Sequence, residues 1–138
     1  IALWAVWVGL VFAQATVTPA PTAGARATEA PSTAVANGRR LFARSGCAEC
    51  HGLEGQRDRL PKLEADTAAL IARLNPPPPD LRNAKVLRLK SDPQRAHAIR
   101  EGHPGTGMFP DTTSTDQELA DTRAYLAFLR KEGSTGQQ

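Results

Sequence analysis

Apolar residues recur at helical spacing in several stretches of this chain, and nowhere do they alternate with period two. Leu41 and Phe42 face inward from a short segment that runs through Arg44, with Asn37 as its expected N-cap, and Ser45-Gly46 ends it. From Leu53 to Leu63 the chain is polar and irregular, with Gly55 and Pro61. Asp66 is placed to cap a helix from Thr67 to Leu74, with Leu70, Ile71 and Leu74 at helical spacing. Pro76 to Pro79 stop that helix, because each proline fixes φ and lacks an N–H; such a run is extended and rigid. Ser91-Asp92-Pro93-Gln94 is an N-terminal capping box with proline in the first turn. It predicts a helix to Glu101, with Ala96 and Ile99 inward and Gly102 just beyond its end. Thr115-Asp116-Gln117-Glu118 is a second capping box. It opens the longest predicted helix, to about Lys131, with Leu119, Thr122, Leu126 and Leu129 in one stripe and Tyr125 beside it. Acidic residues at its start and Arg130-Lys131 at its end suit the helix dipole. The pattern predicts an all-α domain over residues 37–132, with a flexible tail at 133–138.

The N-terminal third reads differently. Residues 1–15 open with an uncharged apolar run containing Trp4, Trp7, Leu10 and Phe12. Ile1 to Ala13 would span ~20 Å as a helix, short of the ~30 Å hydrocarbon core of a bilayer. Ala13-Gln14-Ala15 follows as an A-x-A processing site. The expectation is a secretory signal whose basic leading region lies upstream of Ile1, with an uncleaved membrane anchor as the rival reading. Residues 16–36 are rich in Ala, Thr and Pro and are expected to form a disordered linker, reaching roughly 25 Å as a flexible coil. Either way the domain is expected outside the cytoplasmic membrane: periplasmic or otherwise exported, free or tethered.

Composition narrows the function. The net charge of +3 is mild and does not suggest a nucleic-acid binder, which would carry a denser basic stripe. Aromatic residues make up only 5% of the chain, thin for a protein core, so a buried apolar cofactor would supply the missing bulk.

Cys47-Ala48-Glu49-Cys50-His51 supplies the chemistry. C-x-x-C-H is the attachment signature of a covalently bound c-type haem. Two cysteines three apart on a tight turn can add their sulfurs to the two vinyl groups of one porphyrin, and the following His lies beneath the ring centre. Gly52 then lets the chain turn away close to the macrocycle. A redox dithiol or disulfide would use the same two cysteines. A four-coordinate zinc site would need two more ligands, and His97 and His103 are not at finger spacing.

Met108, the only methionine, sits in Gly102-His103-Pro104-Gly105-Thr106-Gly107-Met108-Phe109-Pro110. A lone Met is usually adaptable core filler. In a Gly- and Pro-rich loop its thioether can instead approach a haem from the face opposite His51. Met/His ligation raises the reduction potential and suits electron transfer. His103 is the alternative sixth ligand, and His97 falls on the outward face of its helix. Arg82, Lys85, Arg88 and Lys90 form a basic run, read either as a solvated face or as a docking face for an acidic redox partner. Arg57 and Arg59 are candidates to pair with haem propionates.

Taken in order, the Gly38/Phe42 helix, the Cys47/Cys50/His51 motif, a middle loop, the Gly-Thr-Gly-Met loop and a closing helix with Tyr125-Leu126 resemble the class I cytochromes c over about residues 37 to 132. The resemblance implies an all-α fold packed around one covalent haem, with Gly38, Phe42 and Tyr125 where the terminal helices cross. It implies axial ligation of the iron by His51 and Met108, and a proline carbonyl between Pro76 and Pro79, Pro79 foremost, accepting the His51 Nδ1–H. The chain departs from the common pattern in having Phe109 directly after Met108, with Pro110 one place later. The function implied is a monohaem carrier of single electrons between redox proteins rather than an enzyme. The alternatives are a haem c subunit of a membrane oxidase or dehydrogenase complex, and a haem peroxidase or gas sensor.

Overall fold

A computed structural model describes residues 31–136, and among them there are helices and no strand. The order is α1 (Thr33–Arg44), α2 (Cys47–His51), a 3-10 turn (Leu53–Gly55), α3 (Ala65–Ala72), α4 (Asp92–Glu101) and α5 (Asp116–Thr135). The expected all-α fold is therefore present. The expected leader or anchor at 1–15 and most of the expected linker lie outside the described residues.

The helix pair α1/α5 is the most extensive contact in the fold. Gly38 makes it possible: a Cβ there would collide with the Asp121 carbonyl and the Tyr125 side chain. Beside it the Phe42 and Tyr125 rings meet edge to face at 5.5 Å, and Leu41, Tyr125 and Leu129 are the most deeply buried large side chains. Such aromatic pairs add about 0.5–1.5 kcal/mol beyond their buried area.

The two ends of the domain differ from the expectation. The first helix begins at Thr33, so Thr33–Ala36 is helical rather than part of a disordered linker. The reason is that Val35 packs against the core, and Ser32 Oγ accepts from the Val35 N–H as the N-cap. Asn37 is not the cap; its Nδ2 donates to Asp121 at 3.2 Å across the helix crossing. At the other end α5 runs on to Thr135, so the expected flexible tail is helical over Gly133–Thr135. Gly133 lies against the Arg82 carbonyl, which keeps the last turn packed.

The α3 helix starts two residues before the expected Thr67, at Ala65, and buries Ile71, while Leu70 is 66% exposed. Both capping boxes are formed: Ser91 Oγ accepts from the Gln94 N–H and Thr115 Oγ1 from the Glu118 N–H, with the Gln94 and Glu118 side chains accepting in return. Along α4 the deepest residue is Ala98, not Ala96, because the helix turns Ala98 and Ile99 toward a cavity.

Candidate haem site

Between α1 and α2 the chain turns sharply at Gly46, whose φ of 77° is left-handed. The α2 turn that follows puts Cys47 and Cys50 on one helical face, with His51 next. Gly52, at φ 86°, then reverses the chain so tightly that a Cβ would run into the Gln56 carbonyl. The Leu53 N–H closes this reversal on the Arg59 carbonyl at 2.6 Å.

The proline run is pinned against this reversal. The Leu81 N–H donates to the Gly55 carbonyl at 3.0 Å and Arg82 Nε to the Glu54 carbonyl at 3.0 Å. Asp80 accepts from the Arg57 and Arg82 N–H groups at 3.4 and 2.8 Å. The result is that the Pro79 carbonyl lies 3.0 Å from His51 Nδ1. With its proton on Nδ1, His51 donates to that carbonyl and keeps Nε2 as a lone-pair donor. Burial pushes the His51 pKa down, as does the Arg57 charge, against the opposing bond to Pro79, so the imidazole stays in the neutral, metal-binding form.

On the far side of α4 the loop is held by its own threonine. The His103 N–H donates to the Met108 carbonyl at 3.1 Å, Thr106 Oγ1 to the His103 carbonyl at 2.7 Å, and the Met108 N–H to Thr106 Oγ1 at 3.1 Å. The Asp111 N–H anchors the loop to the Ile99 carbonyl at 2.8 Å. Its carboxylate accepts from Thr113 and Ser114, through both backbone N–H groups and both hydroxyls, at 2.6–3.1 Å. Burial opposes ionisation, but those bonds outweigh it and hold Asp111 at about 2.

These elements surround a cavity of about 480 Å³. Cys47, Cys50, His51, His103 and Met108 all line it, together with apolar side chains such as Leu74, Leu81, Ile99 and Leu126. Burial raises both thiols, Cys47 to about 11 with further help from the Asp111 charge. They are free cysteines and are not joined to each other. Among the described residues no cluster of three or more His, Cys, Asp or Glu could hold a metal ion, which leaves the zinc reading without ligands.

Other expectations are redistributed. His97 is exposed, as its place on α4 implied. Arg57 and Arg59 do not line the cavity: the Arg57 charge acts on His51 and Cys50, and Arg59 binds the Gln56 side chain at 3.0 Å. The arginines that do line it are Arg88, Arg95 and Arg130, and only Arg88 belongs to the basic run. Arg130 was legible as one turn beyond Leu126 on α5. Arg95 lies on a helix whose apolar positions, Ala96 and Ile99, give no sign of a cation on the inner face. Phe109 lines the cavity and is still 71% exposed.

Helices wrapped around an apolar cavity, with a C-x-x-C-H turn on its wall, define a c-type haem protein. The chain belongs to the cytochrome c family: the model of that family, Cytochrome c, matches residues 35–130. This agrees with the class I resemblance. No curated protein and no solved structure matches the chain significantly. The family binds covalent haem c, and the residues here fit that group: two thiols and a neutral imidazole from one turn, facing a mostly apolar cavity. Family members are generally electron carriers rather than enzymes, and are typically exported. No helix among the described residues is long and apolar enough to cross a membrane.

Proposed function

We propose that this protein is an exported monohaem carrier that passes single electrons between redox proteins through a His51/Met108-ligated iron. Bound haem supplies a one-electron ferric/ferrous couple. Cys47 and Cys50 hold it covalently. His51 presents Nε2 to the iron, its ring orientation and tautomer fixed by the Pro79 carbonyl. Met108 presents its thioether from a loop braced by Thr106. A thioether favours ferrous iron, and two protein ligands leave no open position for a substrate, which argues against a peroxidase or gas sensor.

The observation that carries this reading is that His51 and Met108, from separate segments each tied down by its own hydrogen bonds, line one cavity. The exposed cations Lys85, Arg88 and Lys90 support docking to an acidic partner, since complementary fields speed encounter. Arg82 is not part of that set, because Glu54 holds its guanidinium. His103, on the same lining, is the competing ligand. Carbon monoxide binding to the ferrous protein tests the ligation. The wild type and His103→Ala should bind none at neutral pH, while Met108→Ala should bind it readily. Gas binding by His103→Ala but not by Met108→Ala would make the iron bis-His.

A further inference from the structure

Arg88, Arg95 and Arg130 reach the cavity from the loop before α4, from α4 and from α5. Arg88 is exposed; the other two are half-buried. Arg95 is held there, because its Nη2 donates to the carbonyls of Leu89 at 3.1 Å and Lys90 at 3.0 Å. Arg130 has no carboxylate at ion-pair distance among the described residues; Asp92, whose charge does reach it, is paired with Arg123 at 3.2 Å. Burial first, and then the Arg95 charge, pull the Arg130 pKa down. Two guanidiniums at a partly desolvated wall are unfavourable without an anion. The cavity's own carboxylate, Asp111, is already saturated by Thr113 and Ser114, and its charge falls on Cys47. The other titratable groups on the lining are Cys47, Cys50, His51 and His103. None of these supplies a negative charge to the pair.

We propose that Arg95 and Arg130 clamp the two carboxylates that a haem carries along one edge, with Arg88 as an outer third cation. The other edges of the ring carry only hydrocarbon groups and match the mostly apolar remainder of the lining, so the clamp fixes which edge of the ring faces α4 and α5. The inference rests on haem occupying this cavity and holds whichever residue is the sixth iron ligand. A guanidinium fork pairs a carboxylate through two parallel hydrogen bonds. A carboxylate beside such cations stays ionised, its pKa lowered by about 1–3 units. The carboxylates' contribution to the field at the iron, and so to the reduction potential, is then constant across mild pH.

The test uses the holoprotein with haem ¹³C-labelled at its carboxylates, titrated by NMR, alongside the potential measured against pH. In the wild type both carboxylates should titrate at or below about pH 4, no higher than an ordinary side-chain carboxyl. In Arg95→Gln or Arg130→Gln at least one should rise by about 1 unit or more. The potential should then fall with rising pH through that pKa, because the new negative charge favours ferric iron. Arg130→Lys should restore most of the shift, and Arg57→Gln should cause none. A wild-type carboxylate titrating above about pH 6, or variants at Arg95 and Arg130 that leave both unmoved, overturns the proposal. A wild-type carboxylate above about pH 6 overturns the proposal even where a variant fails to take up haem. A Met108→Ala variant that changes the ligand but not this titration separates the two questions.

Discussion

The ends of the chain and its middle are built on different principles. Where α1 crosses α5, protein atoms complete the packing: Gly38 against the Asp121 carbonyl, Phe42 against Tyr125, and Leu129 with no exposure at all. Between residues 60 and 111, α3 and α4 each bury a single residue, Ile71 and Ala98, and the connecting segments hold their shape by backbone bonds and prolines. Several of their apolar side chains, among them Leu74, Leu87, Leu89 and Ile99, line the cavity. One region is thus a core in the ordinary sense, and the other is a mould whose filling is the macrocycle. A chain with 5% aromatic residues can fold this way because the cofactor provides the largest apolar body.

Removing the filling should separate the two regions most clearly. A Cys47→Ala/Cys50→Ala chain made without haem should lose cooperative thermal unfolding. Its amides from 60 to 111 should exchange at near-unfolded rates, with residual protection confined to α1 and α5. Equal protection in both regions would mean that the middle packs without a cofactor.

The crossing is broken from its own side by Gly38→Leu. The added side chain meets backbone at Asp121, which cannot move aside, so a loss of about 3 kcal/mol is expected by denaturant titration of the holoprotein. Leu129→Ala should cost about 2–5 kcal/mol by the same measurement, while Leu70→Ala, on the exposed face of α3, should cost almost nothing.

Acid probes the mould through Asp111. Asp111 has a folded pKa of about 2, below an unfolded value near 3.9. Its contribution is therefore present above about pH 4 and lost as pH falls toward about 2. Asp111→Asn should remove that part of the acid dependence and loosen the Met108 loop first, which under the proposed Met108 ligation weakens the iron–sulfur band before global unfolding. The smallest effect expected is that of Ser91→Ala or Thr115→Ala, about 1 kcal/mol each, from loss of a cap.

The same division explains what was readable from sequence. The capping boxes and the α5 stripe are local signals, and both helices begin where those signals put them. The start of α1 was not readable, because Val35 gains its helical state from contact with α5 and Asn37 looked like a cap when its partner is Asp121. The C-x-x-C-H turn and the Met108 loop were visible as motifs. Their meeting at one cavity depends on non-local bonds such as Leu81 to Gly55 and His51 to Pro79, which no short window of sequence contains. Arg95 is hidden in the sequence for a related reason: a cation on a helix reads as its solvent edge until the cavity beside it is seen.

The central claim is that the mould closes on iron through Met108 as well as His51. The direct measurement is the absorption spectrum of the oxidised wild-type protein, searched for the weak sulfur-to-iron charge-transfer band, with Met108→Ala and His103→Ala as companions. The band should be present in the wild type, unchanged in His103→Ala and absent in Met108→Ala. Its absence from a folded, six-coordinate wild type, or its survival in Met108→Ala, would contradict the account.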